Sequence, residues 1–84
     1  MTNKDKDRYE KLIGVYVKQR RNKLGLTQAE FGEKVDLSEK AVGRIERAER
    51  SPLGYTLYKI HKNTGISIDQ LFQDIQKSSD SEED

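Results

Sequence analysis

The chain contains no cysteine and no tryptophan, and it has only one proline and six glycines among its 84 residues. Without cysteine it can form neither a disulfide nor a cysteine-based zinc site. So few turn-forming residues disfavour an all-β sandwich. No apolar run approaches the roughly 18 residues of a membrane span, and the polar N-terminus lacks the apolar stretch of a signal peptide. We therefore expect one small, soluble, intracellular domain.

The net charge of +1 conceals an uneven distribution of charge along the chain. The last seven residues, Ser78 to Asp84, contain four acids and no base. The remaining chain has 16 basic and 11 acidic residues, which is a net charge of about +5. This balance is compatible with a basic face that binds nucleic acid, although a solvated surface of mixed charge has much the same composition.

Apolar residues recur at helical spacing in almost every segment, and this pattern predicts an all-α fold of five short helices. The predicted helices span residues 8–24, 28–35, 39–47, 53–63 and 68–76. They form one domain over residues 8–76. Residues 1–7 and the acidic tail 77–84 are expected to be disordered, and the tail has no apolar residue with which to pack.

Local signals mark the ends of the middle helices. Thr27 is the predicted N-cap of the second helix, and Glu30 three residues later completes a capping box. Ser38 and Ser67 are the predicted N-caps of the third and fifth helices. Asp36 separates the second helix from the third, since aspartate tolerates left-handed backbone angles better than most residues.

The second and third helices are joined by a very short connection and share one set of apolar positions. Two such short helices can share an apolar junction only when they cross steeply. Gly32 lies on the inner side, where the missing side chain lets the two backbones approach. This pattern is typical of a helix-turn-helix. The shared apolar positions are Phe31, Val35, Leu37, Val42 and Ile45.

The opposite side of the third helix is basic and free of apolar groups. If Val42 and Ile45 point inward, the residues at i, i+3, i+4 and i+7 from Lys40 point outward. A helix with such a face can lie in the major groove of DNA with its N-terminal residues nearest the base edges. The outward residues are Lys40, Gly43, Arg44 and Arg47, with Glu39 at the N-terminal end.

Several fragments of the chain resemble the Cro- and Xre-type helix-turn-helix proteins, whose fold is that of the lambda-like phage repressors. The matching fragments are 26–30 (LTQAE), 37–38 (LS), 44–47 (RIER), Pro52 and 65–72 (GISIDQLF). The resemblance implies a five-helix lambda-repressor-like fold and DNA binding. Asp36 and Ala48 stand where this family usually has glycine, so Ala48 must either adopt a left-handed conformation or let the third helix continue.

The candidate phosphate contacts lie mainly at helix starts. Gln28 and the free N–H groups at the start of the second helix can hold a phosphate, although Gln28 can also be a plain polar residue in a first turn. Thr27 and Ser38 are caps that can also reach a phosphate. Arg47 and Arg50 are assigned to phosphates rather than to bases.

The candidate base contacts are Lys40 and Arg44, because both can donate to O6 and N7 of guanine. The alternative for both is a solvated helix face. Glu39 either accepts a hydrogen bond from N4 of cytosine or interacts with the helix dipole in the first turn. Gly43 allows close approach of the backbone, at a cost of about 1 kcal/mol in helix propensity.

Three residues are assigned to structure. Glu46 borders the inner face of the third helix and needs a partner. In resembling proteins, an arginine of the first helix pairs with the acid at this position, so Arg21 is predicted to pair with Glu46. His61, which is the only histidine, is expected to pack in the core on the inner face of the fourth helix.

The sequence contains no motif for catalysis or for a cofactor. It has no cluster of metal ligands, no nucleophile turn and no glycine-rich phosphate loop. We therefore expect no catalytic residue, metal site or cofactor, and we predict that the protein is not an enzyme.

These features predict a sequence-specific regulator of transcription that binds double-stranded DNA, a repressor of phage, plasmid or bacterial origin in the cytoplasm. The alternative is a protein-interaction module, such as an antitoxin or antirepressor. A domain this small reads few base pairs, so tight binding implies a homodimer on a two-fold site. The dimer is expected to be weak without DNA. Six apolar residues near the C-terminal end exceed what one short helix can bury, so some of their surface is expected to contact the second copy. They are Leu53, Ile66, Ile68, Leu71, Phe72 and Ile75.

Overall fold

The computed structural model describes the backbone of residues 3–82 and the side chains of residues 4–78. Within these residues the chain forms five helices and no strand, which confirms the predicted all-α class. None of these helices combines the length and the apolarity that a membrane span requires. The helices are α1 (Asn3–Lys23), α2 (Gln28–Val35), α3 (Glu39–Glu46), α4 (Gly54–Thr64) and α5 (Ile68–Glu82).

Helix α1 begins before its predicted start and α5 ends after its predicted end. The start of α1 and the end of α5 lie within segments 1–7 and 77–84, which the sequence predicts as disordered. Neither segment contains a glycine or proline that would stop a helix. In the first turn of α1, Asp5 pairs with Arg8 at 3.3 Å. The outermost two residues at each end lie outside the described part of the chain.

Side-chain caps begin α2 and α3, as predicted. The hydroxyl of Thr27 accepts from the N–H of Glu30 at 3.1 Å, and the Glu30 carboxylate accepts from the N–H of Thr27 at 2.8 Å. The hydrogen bond from the Thr27 N–H lowers the pKa of the Glu30 carboxyl. The hydroxyl of Ser38 accepts from the N–H of Ala41 at 3.1 Å. By contrast, Leu53 precedes α4 as an N-cap without a capping side chain, so α4 begins one residue later than predicted.

The core lies between the five helices. Leu37, in the turn between α2 and α3, packs partly buried against this core. The hydroxyl of Tyr16 donates to the carbonyl of Ser67 at 2.6 Å, and the Ser67 hydroxyl caps α5 by accepting from the N–H of Gln70 at 3.0 Å. The buried apolar residues are Ile13, Tyr16, Val17, Phe31, Val35, Val42, Ile45, Ile60, Ile66 and Leu71.

The predicted core position of His61 is wrong. His61 lies on the exposed side of α4, with Nδ1 3.3 Å from the carbonyl oxygen of Ile66. Thr56 and Ile60 are the buried residues of this helix and occupy its inner face instead. Leu24 belongs to the turn after α1 and is exposed.

Helices α2 and α3 cross closely, as the helix-turn-helix pattern predicts. Gly32 is buried, and a Cβ at this position would clash with the carbonyl oxygen of Leu37. Between the helices, Asp36 adopts the left-handed conformation with φ 61° and ψ 39°. Its carboxylate pairs with Lys59 at 3.0 Å, which ties the turn to α4.

Helix α1 packs equally closely against the end of α3. A Cβ on Gly14 would lie 2.7 Å from the carbonyl oxygens of both Ile45 and Glu46. One turn earlier on α1, the carboxylate of Glu10 accepts a hydrogen bond from the hydroxyl of Ser51 at 2.6 Å. The end of α3 and the segment that follows it are therefore fixed against one face of α1.

Candidate nucleic-acid interface

The outward residues of α3, which we call the α3 face, are Glu39, Lys40, Gly43, Arg44 and Arg47. The four side chains of this set are exposed. Gly43 is itself buried, because the Arg47 side chain lies over it. Among the described residues, neither Lys40 nor Arg44 has an ion-pair partner. Both cations are therefore free to bind an acceptor on another molecule.

Gln28 begins α2 next to the α3 face. Its Nε2 donates to Oε1 of Glu46 at 3.1 Å. Its Oε1 lies 3.6 Å from the point that a Cβ on Gly43 would occupy. The amide of Gln28 is therefore held at the junction of α2 and α3, and the hydroxyl of Thr27 is used by the helix cap.

An ion pair lies behind the α3 face. Nε of Arg21 donates to Oε2 of Glu46 at 2.7 Å, and Nη2 donates to Oε1 at 2.9 Å. Nη1 donates to the carbonyl of Leu26 at 2.9 Å. Arg21 is only 8% exposed. The structure thus brings the two residues of the predicted structural pair together and links them to α2 through Gln28.

The pKa shifts of this pair favour the charged form of both groups. Burial raises the pKa of Glu46, but the hydrogen bonds from Arg21 and Gln28 and the nearby charge of Lys18 lower it by more. The hydrogen bond to Glu46 raises the pKa of Arg21 against the opposing effect of burial.

The chain bends sharply after α3. Arg47 caps the helix rather than continuing it, and Ala48 has a φ of 61°, so the alanine adopts the left-handed conformation. The bend places Glu49 beside Arg47, whose Nε and Nη2 donate to the Glu49 carboxylate at 2.8 and 3.4 Å. Sequence reasoning missed this pair, because residues two apart on a continuous helix do not face each other.

The remaining predicted contacts flank α3 along the chain. Ser38 is exposed at its N-cap, and Arg50 is exposed in the segment between α3 and α4. Within the described part of the chain, no group of acidic or histidine side chains could hold a metal ion.

The geometry defines a helix-turn-helix protein with a basic face, and comparison with known proteins agrees. A family model described as helix-turn-helix matches residues 17–71, more than half of the chain. The chain belongs to this Cro/C1-type helix-turn-helix family, which confirms the resemblance seen in the sequence. It is a family of DNA-binding regulators and not of enzymes.

One similar protein is "Control protein C.MunI" from Mycoplasma sp. It is 35% identical over 60 residues, which are 71% of this chain and 81% of the relative. No solved structure gives a significant match. The family and this relative together identify the chain as a DNA-binding regulator of transcription.

Proposed function

We propose that this protein is a sequence-specific repressor that reads the major groove of duplex DNA with α3. The observation that carries the proposal is the α3 face, where Lys40 and Arg44 are exposed and have no ion-pair partner among the described residues. Either side chain can donate to O6 and N7 of guanine, and the major groove is wide enough to admit an α-helix. Glu39 at the start of α3 is suited to accept from N4 of cytosine.

Phosphate contacts on both sides of α3 hold it in the groove. The N–H groups at the start of α2 supply one contact, beside the amide of Gln28. Arg50 supplies another from the segment after α3, and Ser38 and Thr27 lie next to the helix starts. The pair of Arg21 and Glu46 contributes rigidity and does not touch DNA.

A homodimer on a two-fold site would place two copies of α3 about 34 Å apart, in successive turns of the major groove. Most of the residues first expected at the dimer surface are used elsewhere. Ile66 and Leu71 are buried in the core, and Ile68 and Ile75 pack partly buried against it. Ile66 and Leu71 are therefore not available to a second copy, and Ile68 and Ile75 offer only part of their surface.

The three most exposed large apolar side chains lie at the start of α4. Leu53, Tyr55 and Tyr58 are 64%, 63% and 54% exposed, and we call these three residues the α4 patch. The centres of the two tyrosine rings are 6.5 Å apart. The patch comes directly after the segment that connects α3 to α4. A dimer formed through the patch would therefore hold the two α3 faces at a fixed distance from each other.

The regulatory role is supported by the similarity to a protein named as a control protein. A small DNA-binding domain represses by occupying a site that another protein needs, and this requires no further chemistry. This function places the protein in the cytoplasm of a bacterial or phage-infected cell.

Charge reversal on the α3 face tests the proposal. A bound sequence is first selected from a random duplex pool, and Lys40→Glu and Arg44→Glu are then compared by gel shift. Each change should weaken binding to that sequence by roughly 5- to 150-fold or more, since one good base contact alone gives about 1–3 kcal/mol of discrimination. The control Lys34→Glu makes the same charge change on the exposed side of α2. Unchanged affinity in the α3 variants would show that α3 does not read the bases.

Salt dependence separates DNA binding from the alternative of a protein-interaction module. A DNA-binding protein releases counterions from phosphates, so its affinity for duplex DNA falls steeply as salt increases. Complete lack of DNA binding at low salt would favour a protein partner and contradict the proposal.

A further inference from the structure

The guanidinium of Arg47 lies over the middle of the α3 face and not at its end. A Cβ on Gly43, one turn earlier, would lie 2.8 Å from Nη1 and 3.6 Å from Cζ of Arg47. The side chain of Arg47 therefore folds back along α3 and covers Gly43. The same point is 3.6 Å from Oε1 of Gln28, so the guanidinium reaches the junction of α2 and α3.

Glu49 holds only one edge of this guanidinium. Its carboxylate accepts from Nε at 2.8 Å and from Nη2 at 3.4 Å. An arginine carries five N–H donors in a planar fork. The contact with Glu49 uses the Nε hydrogen and one Nη2 hydrogen, which leaves the Nη1 hydrogens and the second Nη2 hydrogen available. This open edge of two parallel donors matches the O6 and N7 acceptors of guanine.

We propose that Arg47 reads a guanine in the major groove and that Glu49 is a positioning residue that fixes the plane of its guanidinium. Gly43 provides the space in which that guanidinium lies. The inference rests on the proposed function and deepens it by assigning a further base-reading residue. It replaces the assignment of Arg47 to a phosphate.

The pairing with Glu49 favours a base contact over a phosphate contact for a physical reason. A phosphate contact depends mainly on positive charge, and the neighbouring carboxylate reduces the charge that Arg47 offers. A base contact depends on the direction of two donors, and a partner that fixes the guanidinium plane reduces the freedom lost on binding. The contact with Glu49 therefore weakens the attraction of Arg47 to a phosphate and fixes the direction of its remaining donors.

Site selection with Arg47→Lys tests the role of Arg47. Lysine keeps the charge but lacks the planar fork. The wild type should select guanine at a position where the variant has lost the preference, with discrimination there reduced roughly 5- to 150-fold. Unchanged preference at every position would overturn the inference, as would a loss of affinity of the same size for every sequence. If the wild type selects no sequence at all, the proposed function itself fails.

Glu49→Gln tests the positioning role. Loss of the carboxylate should lower discrimination at the same position and raise affinity for non-specific DNA, because one negative charge is removed. Glu33→Gln is the matched control, since it removes the same charge from an exposed residue of α2 that lies outside the α3 face; it should leave the base preference intact. If Glu49→Gln raises specific and non-specific affinity by the same factor, Glu49 merely competes with DNA for Arg47, and its positioning role is wrong.

Gly43→Ala tests the space beneath Arg47. The added methyl group meets only the mobile end of a side chain at under 3 Å, and alanine favours the helix over glycine. The variant should therefore melt at a higher temperature than the wild type and yet lose discrimination at the position that Arg47→Lys affects. A variant that is more stable and fully discriminating would overturn the role of Gly43.

Discussion

Asp36 and Ala48 both adopt the left-handed backbone conformation, each with a φ of 61°, but they compensate for it differently. Aspartate tolerates this region better than most side chains, and Asp36 also pairs with Lys59 at 3.0 Å. Ala48 has no side-chain contact of this kind to offer. Its conformation serves the bend after α3, in which its N–H donates to the carbonyl of Ile45 at 3.1 Å.

Ala48→Gly should raise the free energy of unfolding by about 0.5–1 kcal/mol. Glycine removes a left-handed cost of about 1–2 kcal/mol, and the greater freedom of glycine in the unfolded chain offsets part of that gain. Urea denaturation measures the difference. Asp36→Gly is the control and should gain less, because it also removes the pair with Lys59. An equal gain in both variants would show that the side chain of Asp36 contributes nothing.

Arg21→Ala should destabilise the fold by about 3–5 kcal/mol, because it leaves the Glu46 carboxylate buried without its main donor. Arg21 is buried and donates two hydrogen bonds to that carboxylate. Urea denaturation at pH 7 gives the value. An unchanged midpoint would make Arg21 a candidate contact to DNA instead of a structural residue.

The pH dependence of this difference identifies its cause. The folded-state pKa of Glu46 is lowered, so its ionised form stabilises the fold above the ordinary value of about 4.3 and loses that contribution as the pH falls through the lowered pKa. A protonated Glu46 no longer needs the guanidinium of Arg21. The gap between wild type and Arg21→Ala should therefore shrink below about pH 4.3. If the difference in free energy of unfolding stayed constant from pH 7 to pH 3, the destabilisation of Arg21→Ala would not come from the charge of Glu46.

At the scale of elements, the starts of α2 and α3 could be predicted to the residue. Their N-caps, Thr27 and Ser38, are short-range signals whose chemistry is visible in the sequence. The outer ends of α1 and α5 could not be predicted, because charged residues without apolar periodicity look alike in an exposed helix and in a disordered segment. His61 was misplaced because helical spacing alone fixes an inner face only to within about one residue.

The sequence predicts which residues form the candidate site, but it does not predict how their side chains are arranged. The spacing of Lys40 and Arg44 places them on one side of α3 whatever the rotamers. The position of the Arg47 guanidinium depends on the bend at Ala48 and on Glu49, and both follow from a backbone conformation that the sequence leaves open. The approach of Gly14 to the end of α3 joins residues far apart in the chain, so local patterns could not reveal it.

Gly32→Ala should destabilise the domain by about 1–3 kcal/mol or more, because the new methyl group meets the backbone of the turn, which cannot rotate away as a side chain can. The clash is with the carbonyl oxygen of Leu37. Gly54→Ala is the control, since a Cβ there meets nothing within 4 Å. Thermal melting should show a loss for the first variant and none for the second. Equal melting temperatures would mean that α2 and α3 can separate at little cost.

At the scale of the whole molecule, the described chain is elongated, with principal extents of 40 × 21 × 21 Å. Its exposed large apolar side chains are not confined to one surface. The α4 patch lies next to the segment that follows α3, whereas Val15 and Phe72 lie on α1 and α5. More than one surface is therefore available for a second copy of the chain.

Tyr58→Asp should weaken self-association and cooperative binding to a DNA with two half-sites, while binding to a single half-site is retained. Tyr58 is exposed, so the change should leave the fold intact. Val15→Asp is the matched control on α1, where Val15 is also exposed. Sedimentation of both variants with and without DNA measures the effect. Dissociation by Val15→Asp but not by Tyr58→Asp would move the dimer surface to α1 and α5.

The hydrogen bond from Tyr16 to Ser67 fastens the start of α5 to α1. After Ile75, the described side chains of α5 are polar and none of them belongs to the core. A helix end without buried apolar groups opens locally at a free energy far below that of global unfolding. The rate of amide hydrogen exchange should therefore differ between the end of α5 and the core. Amide protons near the end of α5 exchange rapidly, and those of Phe31 and Val42 exchange only when the whole domain unfolds.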